Sequence, residues 1–155
     1  MPSTVYQKAL QLLAARAHFR RELQAKLAQR GYPSEEIEET LDRLTEQGYL
    51  NDLKTALSFV EQRLARGAEG RLRLKVELEK RGAPSEAVEE ALFALVPEDD
   101  LEPAREAAER WQRLHPRGEA AALARHLARK GFSQRAIFAL LSSRPGTKEV
   151  DFIDS

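Results

Sequence analysis

Pairs of leucines, spaced four residues apart, precede three of the glycines in this chain at a fixed distance. Residues i and i+4 lie on one face of a helix, and glycine commonly supplies the left-handed residue that ends a helix. A second apolar pair follows each glycine, again at a fixed distance. Each copy is therefore predicted to contain two helices joined by a tight glycine turn. The copies are Leu23/Leu27, Gly31 and Ile37/Leu41; Leu74/Leu78, Gly82 and Val88/Leu92; and Leu123/Leu127, Gly131 and Ile137/Leu141.

The copies recur with nearly constant spacing, because 51 residues separate Gly31 from Gly82 and 49 separate Gly82 from Gly131. An internal repeat of this length is typical of an array of modules that contact their neighbours. We predict an all-α fold with nine helices, arranged as three tandem three-helix repeats in an elongated, curved array. At about 20–25 Å for each triplet, three triplets would span about 60–80 Å. The predicted segments are repeats at 1–48, 49–97 and 98–143, followed by a flexible C-terminal tail at 144–155.

Helix boundaries follow from the apolar spacing and from residues that favour helix ends. Pro33-Ser34 suits the start of the third helix, and either Asn51 or Asp52 is expected to cap the fourth. The apolar face of the first helix is predicted to contain Tyr6, Leu10, Leu13 and Ala17. The predicted helices cover about 5–17, 19–30, 34–47, the stretch between the cap at 51 or 52 and Gly67, 71–81, 85–95, 101–114, 119–130 and 134–143.

Charge is abundant but balanced, with 25 lysine and arginine residues against 25 aspartate and glutamate residues. A protein that functions by binding free DNA usually has a positive excess, because phosphate neutralisation dominates that affinity. The balance disfavours such a function. The absence of cysteine excludes disulfides and thiolate metal sites and fits a reducing cytoplasm. No stretch suits a membrane span and the N-terminus lacks a signal-peptide pattern, so we expect a cytoplasmic protein without a membrane partner.

Basic residues concentrate on the middle helix of each predicted repeat, whereas acidic residues concentrate on the third helix of the first two repeats. One interpretation is that these are solvated faces whose charges pair within each repeat. The other is that the middle helices form a basic stripe that meets an acidic protein surface or DNA phosphate. The candidate partner-binding residues are Arg16, Arg20, Arg21, Lys26, Arg71, Arg73, Lys75, Arg125, Arg129 and Lys130.

No motif for catalysis or cofactor binding occurs in the chain. It has no phosphate-binding glycine loop, no His-Glu-x-x-His and no Gly-x-Ser-x-Gly. His18, His115 and His126 lack a second ligand at helical spacing, so we expect surface or partly packed histidines and no metal site. Trp111 lies on the apolar face of its helix and is expected to pack in the core. We predict a protein without catalytic residues, metal or cofactor.

The segment Gly48-Tyr49-Leu50-Asn51-Asp52 connects the first two repeats and has a structural explanation. Gly48 ends a helix, Tyr49 and Leu50 are expected to staple the turn, and the polar pair that follows caps the next helix.

The same segment also carries a family resemblance. With Ala56-x-x-Phe59-Val60-x-x-Arg63 after it, it resembles the RecX family of recombination regulators. Further matching elements are Glu22-Leu23-x-x-x-Leu27-x-x-x-Gly31-Tyr32 and Glu77-Leu78-Glu79-Lys80-Arg81-Gly82. The resemblance extends over about residues 6–143. The chain departs from it at Phe19-Arg20, where many members have a small hydroxyl residue before the second helix.

The resemblance implies an all-helical array of three three-helix repeats that binds the RecA recombinase and the RecA–single-stranded DNA filament. Proteins similar to this one lie in the helical groove of the filament and contact more than one RecA subunit. They generally inhibit ATP hydrolysis, strand exchange and the coprotease activity of RecA. The implied function is therefore regulation of RecA in DNA repair, DNA recombination and the SOS response, by a monomer with at most weak direct contact to DNA.

Two other functions remain open from the residues alone. Three-helix units with a glycine turn are similar to helix-turn-helix domains, so the chain could be a DNA-binding module. It could also be a helical scaffold for a protein other than RecA. A steep loss of DNA affinity with added salt would indicate the first alternative, and capture of a different protein would indicate the second.

Overall fold

The computed structural model describes residues 3–143, and all regular structure within that range is α-helical. This confirms the predicted all-α class with nine helices, and each predicted helix end lies within two residues of the observed end. The predicted tail at 144–155 lies outside the described residues. The helices are α1 (Val5–Ala15), α2 (Arg20–Gln29), α3 (Ser34–Glu46), α4 (Asp52–Arg66), α5 (Arg71–Lys80), α6 (Ser85–Leu95), α7 (Leu101–Leu114), α8 (Ala120–Arg129) and α9 (Gln134–Ser142).

The three repeated glycines end their helices with the same pair of backbone hydrogen bonds. Each glycine N–H donates to the carbonyl three residues earlier, and the next N–H donates to the carbonyl of the second leucine of the pair. The φ angles of Gly31, Gly82 and Gly131 are 86°, 91° and 90°, a region that glycine enters without a side-chain clash. The predicted glycine turns are confirmed. The longer-range bonds join Tyr32 to Leu27, Ala83 to Leu78 and Phe132 to Leu127, at 3.4, 3.0 and 3.2 Å.

The chain divides into two compact units. The first contains the chain up to Phe59 together with Glu77–Ala91, and the second contains Val60–Val76 together with the chain from Leu92. Helices α4, α5 and α6 therefore contribute residues to both units. The predicted repeat boundaries near residues 48 and 97, and the predicted elongated array, stay predictions.

The core of the first unit lies where α1, α2 and α3 pack against one another. The predicted face of α1 is only partly correct. Arg16 adopts an extended backbone and ends the helix, so Ala17 lies beyond it and is exposed. Val5 and Ala9 are the buried residues of α1. The buried residues of this core are Val5, Ala9, Leu23, Leu27, Ile37, Leu41, Leu44 and Leu50.

The core of the second unit lies where α7, α8 and α9 pack against one another. Alanines on α7 allow close approach of the neighbouring helices, and Trp111 fills the space beside them with 8% of its surface exposed. The predicted core position of Trp111 is confirmed. The other buried residues of this core are Ala104, Ala107, Ala108, Leu123, Leu127, Phe132, Ala136, Ile137 and Leu140.

Helix α2 begins without a capping side chain at its N-cap, because Phe19 occupies that position and is fully buried. Two carboxylates bind the unpaired backbone groups instead. Glu22 accepts the N–H of Phe19 at 2.9 Å, and Asp52 accepts the N–H of Arg20 at 2.9 Å. The first helical turn is thus stabilised by a residue at the start of α4, far away in sequence.

The segment between α3 and α4 differs from its prediction at one position. Asn51 caps α4, since its side-chain oxygen accepts the N–H of Lys54 at 3.0 Å. Leu50 is buried as expected, but Tyr49 remains 60% exposed and does not staple the turn. The backbone N–H groups of both residues bond to the carbonyl of Leu44, and this geometry points the tyrosine ring outward.

Gly70 has a role that the helix pattern does not indicate. Its N–H donates to the carbonyl of Lys130 at 2.8 Å. A Cβ atom at this position would overlap the backbone of Gly131 and approach the nitrogen of Phe132 to 2.5 Å. Gly70 is therefore required because two backbone segments of the second unit meet there.

Replacing Gly70 with alanine is expected to lower the free energy of unfolding by about 1–3 kcal/mol, because the methyl group forces these backbone segments apart. Urea denaturation measures the loss. Gly31 is the matched control, because nothing lies within 4 Å of an added Cβ there, and only its positive φ of 86° opposes a side chain.

Asparagine variants distinguish steric overlap, the cause at Gly70, from backbone strain, the cause at Gly31. Asparagine tolerates the left-handed region better than alanine does. We expect asparagine to be milder than alanine at Gly31 and more destabilising than alanine at Gly70. The opposite order at Gly70 would show that the backbones do not meet there.

Candidate partner-binding surfaces

The ten predicted cationic residues are divided between the two units, and each unit is considered by itself. The first unit contains Arg16, Arg20, Arg21 and Lys26, and the second contains Arg71, Arg73, Lys75, Arg125, Arg129 and Lys130.

Arg20 and Arg21 are neighbours in sequence but differ in their contacts. The guanidinium of Arg20 lies 3.0 Å from a carboxylate oxygen of Glu38 and 2.7 Å from one of Asp42, so it joins α2 to α3. This is the pairing within a repeat that the first interpretation predicts. Arg21 is exposed and forms no ion pair with any residue in the range 3–143. Of the two, only Arg21 offers an unpaired charge to a partner.

Glu22 accepts hydrogen bonds from several cationic and backbone donors in the first unit. Arg81 donates to both of its carboxylate oxygens, at 3.1 and 2.9 Å, and also donates to the carbonyl of Ala17 at 3.2 Å. Arg16 adds a longer contact of 3.4 Å. Burial opposes ionisation of Glu22, but the hydrogen bonds from Arg81 and from the Phe19 N–H outweigh it and lower the pKa of this carboxyl. Arg16 and Arg81 are thus partly neutralised.

Lys26 is held by a buried histidine. His18 is 2% exposed, which corrects the expectation of a surface or partly packed side chain. Its Nδ1–H donates to the carbonyl of Arg16 at 2.9 Å, and its Nε2 accepts from the Nζ of Lys26 at 2.9 Å. This arrangement requires a neutral imidazole. Burial, with Lys26 and Arg16 nearby, lowers the pKa of His18 although the backbone bond opposes the shift.

Two predicted residues on α5 have structural roles in the second unit. Arg71 donates to the carbonyls of Leu92 and Val96, at 3.5 and 3.4 Å, near the C-terminal end of α6. Arg73 lies 3.4 Å from Glu69.

Glu69 is itself nearly neutralised by another cation. Its side chain is 6% exposed, and Arg63 binds both of its carboxylate oxygens, at 2.8 and 2.6 Å. Arg63 was not among the predicted residues. A bidentate pair of this kind depends on the geometry of the folded side chains, which the sequence spacing does not predict.

Of the remaining predicted residues of the second unit, Lys75 lies on α5, and the other three lie on or beside α8. Lys75 and Arg125 are exposed. Arg129 and Lys130 line a groove of about 450 Å³ together with Arg66 and Arg110, which the prediction omitted. We call this site the α7–α8 groove. Further residues that line it include Glu106, Trp111, Leu114 and His126.

A larger groove of about 790 Å³ in the same unit has mixed charge. Arg71 and Arg135 line it together with three acidic residues at 98–100. Asp100 is engaged, since its carboxylate accepts the N–H and the hydroxyl of Ser133, both at 2.7 Å. Opposite charges compensate locally in this groove, whereas they do not in the α7–α8 groove.

No group of three histidine, cysteine, aspartate or glutamate side chains within residues 3–143 is placed to hold a metal ion. In the same range, no helix combines the length and the apolar character needed to cross a bilayer.

Family models match two segments of the chain. Residues 6–44 match the first three-helix domain of RecX, and residues 51–92 match its second three-helix domain. The chain is 39% identical to the regulatory protein RecX of Pseudomonas entomophila over 150 residues, which cover 92% of this chain and 93% of that protein. It is 42% identical to the regulatory protein RecX of Pseudomonas syringae pv. tomato over 130 residues, covering 84% and 80%.

Solved structures show the same fold. The crystal structure of RecX from Lactobacillus salivarius superposes with a TM-score of 0.78 at 24% identity, covering 96% of each chain. A second crystal structure of regulatory protein RecX gives a TM-score of 0.75 at 22% identity, covering 90% of this chain and 70% of that one.

The lowered pKa of His18 predicts loss of stability in mild acid. Its ordinary pKa is 6.5, so below that pH the unfolded chain binds a proton that the folded chain resists. The free energy of unfolding should therefore fall by up to about 1.4 kcal/mol for each pH unit below this value, until the folded-state pKa is reached. Urea denaturation at about pH 7.5 and about pH 5.5 measures the change.

The variant His18→Gln should be less stable at neutral pH but should lose less stability on acidification than the parent chain. His115→Gln serves as the control, because His115 is exposed and its replacement should leave most of the acid sensitivity in place. Equal acid sensitivity in the His18→Gln variant and the parent chain would contradict the assignment.

Proposed function

The chain belongs to the RecX family, and we propose that it binds the RecA recombinase and the RecA–single-stranded DNA filament. Binding modulates RecA and mainly inhibits its ATP hydrolysis, strand exchange and coprotease activity during DNA repair and the SOS response. The observation that carries the proposal is the match of both three-helix domains, together with relatives that are named regulatory proteins. The chain acts by occupying a surface of RecA in the cytoplasm, and it catalyses no reaction of its own.

Cationic surface on both units supports a binding role. The first unit exposes Arg21, and the second exposes Arg125 and the α7–α8 groove. Two separate contacts within one chain reinforce each other through their effective concentration, so each of them can be weak. A filament presents the same surface at regular intervals, which gives both units a binding partner.

Contacts within each unit reduce the set of residues that we propose to contact RecA. Arg20, Lys26 and Arg71 bond to other parts of their own unit, so replacing them disturbs the fold as well as the surface. Arg21 and Arg125 are exposed and form no ion pair within residues 3–143, so their charges are available to a partner. We assign these two residues to the RecA interface.

Direct DNA binding is the alternative function, and the two are separated by their dependence on RecA. A DNA-binding module should bind an oligonucleotide in the absence of RecA, with an affinity that falls steeply as salt rises. A RecA regulator should act on the filament at salt concentrations where its own DNA affinity is negligible.

The test is the rate of ATP hydrolysis by RecA on single-stranded DNA as the chain is added. We expect the parent chain to reduce the rate. The double variant Arg21→Glu, Arg125→Glu should require about tenfold more protein for half-maximal inhibition, because reversing two interfacial charges costs about 1.4 kcal/mol or more of binding free energy.

The matched control is the double variant Arg113→Glu, Arg135→Glu, which makes the same change in net charge on exposed positions of α7 and α9, outside the middle helices. It should inhibit as the parent chain does. If the parent chain leaves RecA turnover unchanged at every concentration, the proposed function is wrong. If both double variants lose inhibition equally, the assignment of the interface is wrong.

A further inference from the structure

The α7–α8 groove concentrates positive charge in one place. Arg66, Arg110, Arg129 and Lys130 line it, and Glu106 is the one acidic residue among those that line it in the described chain. Their formal charges are four positive and one negative, which leaves an excess of three.

Three of these cations are less closely paired with carboxylates than other cations of the same unit are. Arg63 and Arg73 both contact Glu69, whereas the side chains of Arg66, Arg129 and Lys130 form no ion pair within residues 3–143. Like charges gathered in a concave site raise the local potential and attract an anionic ligand.

Two titratable side chains in the groove have lowered pKa values, and burial is the largest cause of both shifts. Burial lowers the pKa of Lys130, and Arg73, Arg110 and Arg63 lower it further, although Glu69 acts in the opposite direction. Burial also lowers the pKa of His126, and the charges of Lys130 and Arg129 lower it further. A bound anion would oppose both shifts.

The groove also has an apolar side. Leu114 is 70% exposed, and Ala68 and Ala107 lie in the same lining. The ligand that fits the groove therefore combines negative charge with apolar side chains.

An acidic peptide has this combination more readily than a nucleic acid. Sequence-tolerant nucleic-acid sites present an exposed aromatic face on which bases stack. Trp111 is only 8% exposed, and His115 stacks on its ring with centroids 4.5 Å apart, so the indole face is already covered. Carboxylates suit the planar donors of the arginines, and leucine-sized side chains suit the exposed Leu114.

We propose that the α7–α8 groove binds an acidic segment of a partner protein, in which carboxylates alternate with apolar side chains. Arg66 and Arg129 bind the carboxylates, and Leu114 contacts the apolar residues between them. This proposal goes beyond the proposed function, because it names the ligand chemistry of one groove and is tested without RecA.

The probe is a fluorescein-labelled peptide of repeating Glu-Glu-Leu triplets, titrated with the full chain and followed by fluorescence anisotropy. The double variant Arg66→Glu, Arg129→Glu should weaken binding at least tenfold, because both positions are exposed and the change reverses two charges in the groove. Leu114→Ser should weaken it about threefold to tenfold through lost apolar contact. The control variant Arg113→Glu, Arg135→Glu should bind as the parent chain does.

A second measurement uses the unaltered chain and does not depend on the folding of any variant. Nuclear magnetic resonance titration should show that the pKa of His126 rises when the peptide is bound, because carboxylates stabilise the imidazolium. A peptide bound elsewhere would leave this pKa unchanged and would overturn the proposal.

Three further results would overturn it. A peptide of glutamate alone that binds equally well would remove the apolar contact from the explanation. Equal weakening in the control variant would show attraction to net charge without a site. Stronger competition by an oligothymidylate of equal charge would assign the groove to nucleic acid.

Discussion

The structure depends on one backbone arrangement, the glycine turn that follows each leucine pair. In all three copies a left-handed glycine allows the next N–H to reach back to the carbonyl of the second leucine, which is fully buried. A residue with a Cβ atom would resist this backbone conformation. Because the turn is anchored on a core residue, it fixes where the following helix starts relative to the apolar face of the preceding one. In the first and third copies, the apolar pair that follows the turn packs in the same core as the leucines.

Local pattern predicted the helices well because the physical causes of helix formation here are local. Apolar residues at helical spacing, glycines in left-handed turns and polar caps all act within a few residues of each other. The features that the pattern did not predict depend on residues that are far apart in sequence. Phe19 is buried and leaves the α2 N-terminus to Asp52, 32 residues away from Arg20. Gly70 is constrained by the backbone of Gly131, which no pattern around Gly70 displays. His18 is buried, although its charged neighbours in sequence are typical of a surface segment.

Dependence on residues that are distant in sequence also explains why the candidate site was only partly predictable. A list of cations on the middle helices treats them as equivalent, but tertiary contacts give them different roles. Arg20 joins two helices, Lys26 bonds to a histidine and Arg71 binds carbonyls at a helix end. Arg66 and Arg110 were missed because they belong to α4 and α7, outside the middle helices, and enter the groove only through folding. The absence of acidic residues from α8 and α9 was the available signal, because it leaves nearby cations without a partner.

Zero net charge therefore excludes fewer functions for this chain than its composition first indicates. Exposed charges are screened over about 8–10 Å at physiological salt, so an acidic helix compensates only the cations close to it. Glu38 and Asp42 of α3 pair with Arg20, whereas the lining of the α7–α8 groove in the second unit carries an excess of three positive charges. A chain can thus have zero net charge, which limits non-specific attraction to DNA, and still present a concentrated positive site to a partner of matching shape. If the chain binds a protein surface in the presence of excess nucleic acid, as proposed, this distribution favours selectivity over general affinity.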